Sequence, residues 1–171
     1  MKALKISMLV LGIIIVLGYL LPERISMPVK GATSADWNQD TFWYEPWGSS
    51  GVHKGIDIFG HQGVDVVSAV DGLVVFSGTI AKGGQVVVIL GPKWRIHYYA
   101  HLDSRKTSMF EPVTSGETIG KLGDSGNAKG KPPHLHYSIL RMIPAPWAMD
   151  SSTQGYKKAF YLDPGAFLLG Q

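Results

Sequence analysis

Apolar positions along the chain fall into two regimes. At the N-terminus, "MKALKISMLVLGIIIVLGYLLPERIS" places Lys2 and Lys5 before a run that stays apolar from Ile6 to Leu21, closed by Pro22, Glu23 and Arg24. No polar face interrupts it, so the pattern predicts an apolar helix. Its 16 residues would measure about 24 Å at ~1.5 Å per residue, at the short limit for a hydrocarbon core of ~30 Å. The basic start followed by an apolar run is an export signal. No small-x-small cleavage site follows directly, so residues 1–24 are expected to stay on as a signal anchor. The alternative is a cleaved signal peptide and a secreted or periplasmic product. The anchored form would put the remainder on the exported, periplasmic side of the inner membrane, with that membrane as its partner.

From Gly51 onward the pattern changes to short apolar runs between glycines: "GIDIFG", "GVDVVSAVDG", "GLVVFSG", "GQVVVILG", "WRIHYYAHL", "GETIGKLG" and "HLHYSILRM". These runs are rich in Val, Ile, Tyr and Phe and recur about every ten residues. That spacing predicts an all-β domain, an antiparallel sandwich or barrel built from hairpins. Residues 144–158 read as an irregular loop, and "FYLDPGAFL" closes the domain, so the β unit is expected over 49–168. Residues 25–48 read as a linker or N-terminal extension. Its clustered Phe42, Trp43, Tyr44 and Trp47 would either line a groove or pack a loop onto the domain.

Composition sharpens this picture in three places. The 21 glycines and ten prolines among 171 residues fit a turn-rich β fold. A formal charge of +3 is too mild for nucleic-acid binding, but it suits an anionic polymer such as a cell envelope. With no cysteine, the fold has no disulfide, and any metal must take His, Asp or Glu. Nothing in the sequence fixes an oligomeric state.

The candidate chemistry lies in the histidines, of which there are six. In "KPPHLHYSI", His134 and His136 would share one face of a strand, with Cα atoms ~6.6 Å apart. One ring could touch a metal while the other stands just beyond it. "GVHKGIDIFG" supplies His53 and Asp57, which on a straight strand would lie ~13 Å apart. A bend at Gly55 would close that gap, leaving His53 in a loop and Asp57 at the head of a strand. Three protein ligands and an open position are how a catalytic zinc is held. "HYYAHL" adds His97, Tyr99 and His101, expected on one strand face, and histidine carries protons well near neutrality. Each histidine alone is more often structural than functional. The ordered set, in a chain with so few others, favours a site.

"HKGID", "YAHL" and "IGKLGDSGNAKGKPPHLHY" together resemble the signature segments of the lysostaphin-type (LytM-like) zinc metallopeptidases. The resemblance covers roughly residues 50–140. It implies a barrel-sandwich β fold of the duplicated-hybrid kind and a single Zn2+ held by His53, Asp57 and His136. It also implies a catalytic pair, His101 and His134, with Tyr99 as an assisting substrate or oxyanion residue by position. The implied activity is endopeptidase cleavage of peptide cross-links in peptidoglycan, with stem peptides as substrate. Where many members carry Gly-x-Arg before the first histidine, this chain reads "WGSSGVHKG". Two rivals stand beside that reading. One is a non-catalytic activator of cell-wall amidases on the same fold, which loss of a ligand would signal. The other is a biotinyl- or phosphotransferase-type carrier, which the export segment disfavours. His61 reads as a surface loop residue, and His97 as a strand-face residue or one that supports the site from behind its ligands.

Overall fold

A computed structural model describes residues 2–170. Helix α1 (Lys2–Leu20) is followed by an antiparallel sheet of nine strands: β1 (Ile56–Phe59), β2 (Asp65–Val67), β3 (Gly72–Ile80), β4 (Gly84–Gly91), β5 (Arg95–Arg105), β6 (Pro112–Val113), β7 (Thr118–Leu122), β8 (His134–Arg141) and β9 (Tyr161–Leu162). A short helix α2 (Pro164–Leu168) ends the chain's regular structure, capped by Asp163. The main path runs β1-β8-β5-β4-β3-β6. β7 joins β2 to β5, and β9 lies on β8. Each of the seven apolar runs holds one strand, with β3 and β5 extending past their runs to Ile80 and Arg105, and 144–158 holds only 3-10 turns among irregular backbone.

The core sits on one face of the β1-β8-β5 ribbon. Ile56 and Ile58 of β1, Leu135, Tyr137 and Ile139 of β8, and Tyr99 and Leu102 of β5 are all fully buried there. Each such side chain removed from water is worth about 1.5–3 kcal/mol. His97 belongs to this core. Its Nδ1 pairs with the Tyr137 hydroxyl at 2.7 Å, and burial pushes its pKa down to about 3, so the ring is neutral. The alternate residues, Asp57, Phe59, His134 and His136, take the other face.

Register brings these polar residues into line. Asp57 stands opposite His136 across β1 and β8, and His136 stands opposite Ala100 across β8 and β5. Gly55 makes the first approach possible. A Cβ there would sit 2.5 Å from the Tyr137 carbonyl oxygen and 3.0 Å from Cε1 of His136. Gly55→Ala should therefore push β1 off β8 and cost ~1–3 kcal/mol. A thermal melt should show the transition about 3–10 °C lower. An unchanged melting temperature would mean the strands have slack that these distances deny.

Residues 25–48 are not a free linker. Val29 and Trp37 are buried in the same core as Ile56 and Ile58. Val29 bridges to Val66, and the Ser26 amide donates to the Ala69 carbonyl. The segment is a strap that wraps the sheet before it reaches the polar face.

The N-terminal run is a helix, but the expected membrane span is not supported. Among the described residues no helix is long and apolar enough to cross a membrane. The 19 residues of α1 measure about 28 Å at ~1.5 Å per residue. Its last turns are engaged by the β domain: the Trp94 indole lies against Gly18 and donates to the Ile15 carbonyl at 2.9 Å. A helix held in this way by the domain does not offer its full length to a hydrocarbon core of ~30 Å.

Candidate metal centre and cleft

The bend at Gly55 does what the sequence demanded. His53 precedes β1 in a loop, Asp57 is its second residue, and both reach the same point as His136 of β8. His53 Nε2 lies 3.2 Å from Asp57 Oδ1, His136 Nδ1 lies 2.8 Å from the same oxygen, and the two nitrogens are 3.1 Å apart. Ligand atoms of a tetrahedral zinc at about 2.0–2.1 Å would be separated by roughly 3.3 Å, so these three atoms already form close to one face of such a tetrahedron.

Hydrogen bonding supports the same fit. His53 Nδ1 faces the Thr41 carbonyl oxygen at 3.0 Å. A carbonyl can only accept, so Nδ1 carries the proton and Nε2 of the neutral ring is a lone pair. That lone pair faces a carboxylate oxygen and a second imidazole nitrogen inside van der Waals contact. Three electron-rich atoms at such distances call for a cation among them. The carboxylate is suited to it. Burial works to raise the Asp57 pKa, but the imidazoles of His136 and His53 beside it overcome this and hold it well below the usual carboxylate range.

The strap supplies the Thr41 contact, and it does more. The amide of Trp43 donates to the His53 carbonyl and the amide of His53 to the Tyr44 carbonyl. The Trp47 ring stacks on the His53 imidazole, centroids 4.0 Å apart and planes within 20°. The stretch "WGSSG", where the resemblance departs from the usual Gly-x-Arg, is a 3-10 turn over Gly48–Ser50 that walls the cleft. Asn38 of the strap caps a 3-10 turn, accepting the Asp40 amide. The aromatic cluster thus does both things expected of it in part: Trp47 lines the cleft, while Trp43 ties the strap down through its indole N–H to the Thr153 carbonyl.

Beside the three candidate ligands stand His134 and His101. Their rings are 5.1 Å apart, edge to face. His134 Nδ1 donates to the Pro132 carbonyl at 2.8 Å, and its Nε2 lies 4.0 Å from Asp57 Oδ2. His101 Nδ1 donates to the Ser125 carbonyl at 2.9 Å. Burial is the main cause that pushes the His101 pKa down, to about 4. In both rings Nδ1 is tied to main chain, which leaves Nε2 to exchange protons.

His101 reaches the cleft by breaking strand alternation. Between Tyr99 and Leu102 of β5 the register against β4 slips, so that Ala100 and His101 together oppose Val86. At this bulge His101 takes φ 65°, a conformation that costs a non-glycine residue about 1–3 kcal/mol. Its amide bonds to the Gly83 carbonyl at 2.8 Å, which helps hold it there.

The same bulge corrects the expectation for Tyr99. Tyr99 does not share a face with His101. It is fully buried, its hydroxyl accepts the Ala69 N–H at 2.9 Å, and burial pushes its pKa up to about 12. It reaches neither substrate nor oxyanion. Tyr98, one residue earlier, lines the cleft in its place. His61 is an exposed loop residue. The cleft itself has a volume of about 380 Å³ and is open to solvent.

Comparison with known proteins gives the family. Residues 51–147 match the model of peptidase family M23. The chain belongs to that family. It is 34% identical over 115 residues to the L-Ala--D-Glu endopeptidase of Bacillus subtilis, across 62% of this chain and 35% of that one. It is 32% identical over 121 residues to the murein hydrolase activator NlpD of Salmonella dublin, across 69% of this chain and 31% of that one. The M23 chain thus spans about a third of the length of these curated relatives. Among solved structures it is similar to the catalytic domain of lysostaphin from Staphylococcus simulans, with TM-score 0.58 and 25% identity over 72% of this chain and 85% of that one. It is also similar to a zinc-containing peptidase from Vibrio cholerae, with TM-score 0.55 and 25% identity over 69% and 37%. The M23 membership and the antiparallel β fold both accord with the lysostaphin-type resemblance read from the motifs.

Proposed function

We propose that this M23 chain is a zinc-dependent endopeptidase that hydrolyses peptide cross-links of bacterial peptidoglycan on the exported side of the cell envelope. The observation that carries it is the complete set: His53, Asp57 and His136 converge on one point, with Nε2 of His101 and His134 beside it in an open cleft. The names of its relatives support the substrate and the location, since they include a peptidoglycan DD-endopeptidase, a murein hydrolase activator and an outer membrane antigenic lipoprotein.

When bound, zinc would supply Lewis acidity toward a peptide carbonyl and would acidify water. The chain's own residues do the rest. Asp57 would partly neutralise the ion, and its register opposite His136 sets that imidazole beside it. His134 and His101, anchored through Nδ1, take a proton at Nε2 and return it to the leaving amine. The same N–H groups, once protonated, donate to the developing oxyanion. Trp47 shields His53 from water and keeps its ring plane fixed.

A second reading, an amidase activator without catalysis of its own, is favoured by the NlpD similarity alone. The complete ligand set speaks against it, because contact activation needs no metal. Metal content and products separate the two. The purified chain should carry about one zinc and release peptides from isolated peptidoglycan, identified by mass spectrometry. A chelator should stop release and added zinc restore it. A metal-free chain that releases nothing, yet speeds a cell-wall amidase, would establish the activator.

A further inference from the structure

The cleft carries an unbalanced charge. Lys54, Lys82 and Lys131 line it, and among the described residues its one carboxylate is Asp57, already committed to His53 and His136. Lys54 is turned onto main chain, donating to the Ser50 and Val52 carbonyls. Lys82 and Lys131 are exposed and make no ion pair among the described residues. Asp124, the nearest acidic residue in sequence to Lys131, is spent on the Gly130 amide at 3.0 Å.

Their placement makes them more than surface charge. Lys82 sits in the β3–β4 turn, whose carbonyl accepts the Asn127 amide, so this turn and the 124–131 loop form one wall. From that wall its ammonium crosses the cleft mouth to the Ser49 hydroxyl at 2.8 Å. A neutral hydroxyl leaves the ammonium's charge unbalanced, and a carboxylate would displace it, since two opposite charges add Coulomb attraction to the hydrogen bond. Lys131 precedes His134 by three residues, so its Cα stands within ~11 Å of the proposed proton carrier.

We propose that Lys82 and Lys131 form an anion-recognition rim that selects peptides bearing a free carboxylate beside the scissile bond over the same peptides with that carboxylate amidated or absent. This rests on the peptidase reading for the kind of peptide and deepens it: a diacid stem peptide fits the rim, and a neutral glycyl bridge does not. Lys54 adds to the field but is held by main chain and does not discriminate.

The test uses the full chain and synthetic stem peptides that differ only in carrying a carboxylate or a carboxamide on the diaminopimelate residue. Binding is measured by calorimetry on the His101→Asn variant, and cleavage is measured in parallel on the unsubstituted chain. The acid peptide should bind about 5- to 10-fold tighter. That preference should fall to about 2-fold or less in K82Q/K131Q and in high salt, and K82R should restore most of its share. Equal binding of the two peptides, binding of neither, or a preference that survives K82Q/K131Q each overturns the rim. Preferential binding without cleavage by the unsubstituted chain upholds the rim and sinks the peptidase reading. Cleavage of both peptides at one rate does the reverse.

Discussion

His136→Ala is expected to yield a folded domain that no longer retains a divalent metal and no longer cleaves peptidoglycan peptides, whereas His134→Ala keeps the metal and loses turnover. The two histidines sit on one face of β8, two residues apart, yet they differ in what they touch. His136 Nδ1 is within 3.1 Å of both other candidate ligand atoms. His134 has its Nδ1 tied to Pro132, and its Nε2 comes no nearer than 4.0 Å to Asp57. Removing one of three protein ligands should weaken metal binding by well over the ~10–100-fold typical of losing only a supporting hydrogen bond. Neither change empties the core, because both side chains are on the cleft face while Leu135, Tyr137 and Ile139 fill the interior. Elemental analysis of folded protein after gel filtration, with a circular-dichroism melt as control, reads the difference. Equal metal loss in the two variants would show that both rings hold the ion.

Much of this was legible because local rules and the fold agree. Val- and Ile-rich runs bounded by glycine became strands, since the residues that prefer a pleated surface are also those that fill this core. The Gly55 bend could be inferred from distance alone, as no straight strand brings His53 to Asp57. Two features were not legible. The bulge at Ala100–His101 shifts strand parity by one, which sends Tyr99 inward and His101 to the cleft. "HYYAHL" alternates well enough without it, and only the pairing of β5 with β4 through Val86 requires the extra residue. The strap was the other. Residues 25–48 have no strand or helix periodicity, and their role depends on long-range contacts: Val29 on Val66, Trp37 in the core, the Thr41 carbonyl on His53. A backbone carbonyl that sets a tautomer leaves no trace in residue type.

His101→Asn should lower kcat by about 10²–10⁴-fold while metal content and KM change little. The bulge chooses the substitution. His101 occupies φ 65°, where alanine would pay for the left-handed backbone, while asparagine tolerates it nearly as well as histidine. The amide of asparagine can still meet the Ser125 carbonyl, but it cannot carry a proton. Fold is therefore preserved and only proton exchange is removed. Burial holds the His101 pKa near 4, so the ring is neutral at working pH and ready to accept. Its centroid is 6.0 Å from that of His136, close enough to serve a substrate at the metal and too far for its loss to strip the ion. The wild-type pH profile should be bell-shaped, and one limb should flatten in the variant, which a purely structural role would not produce. A variant with wild-type kcat, or one that loses its metal along with its activity, would take His101 out of the chemistry and make it a support for the cleft wall.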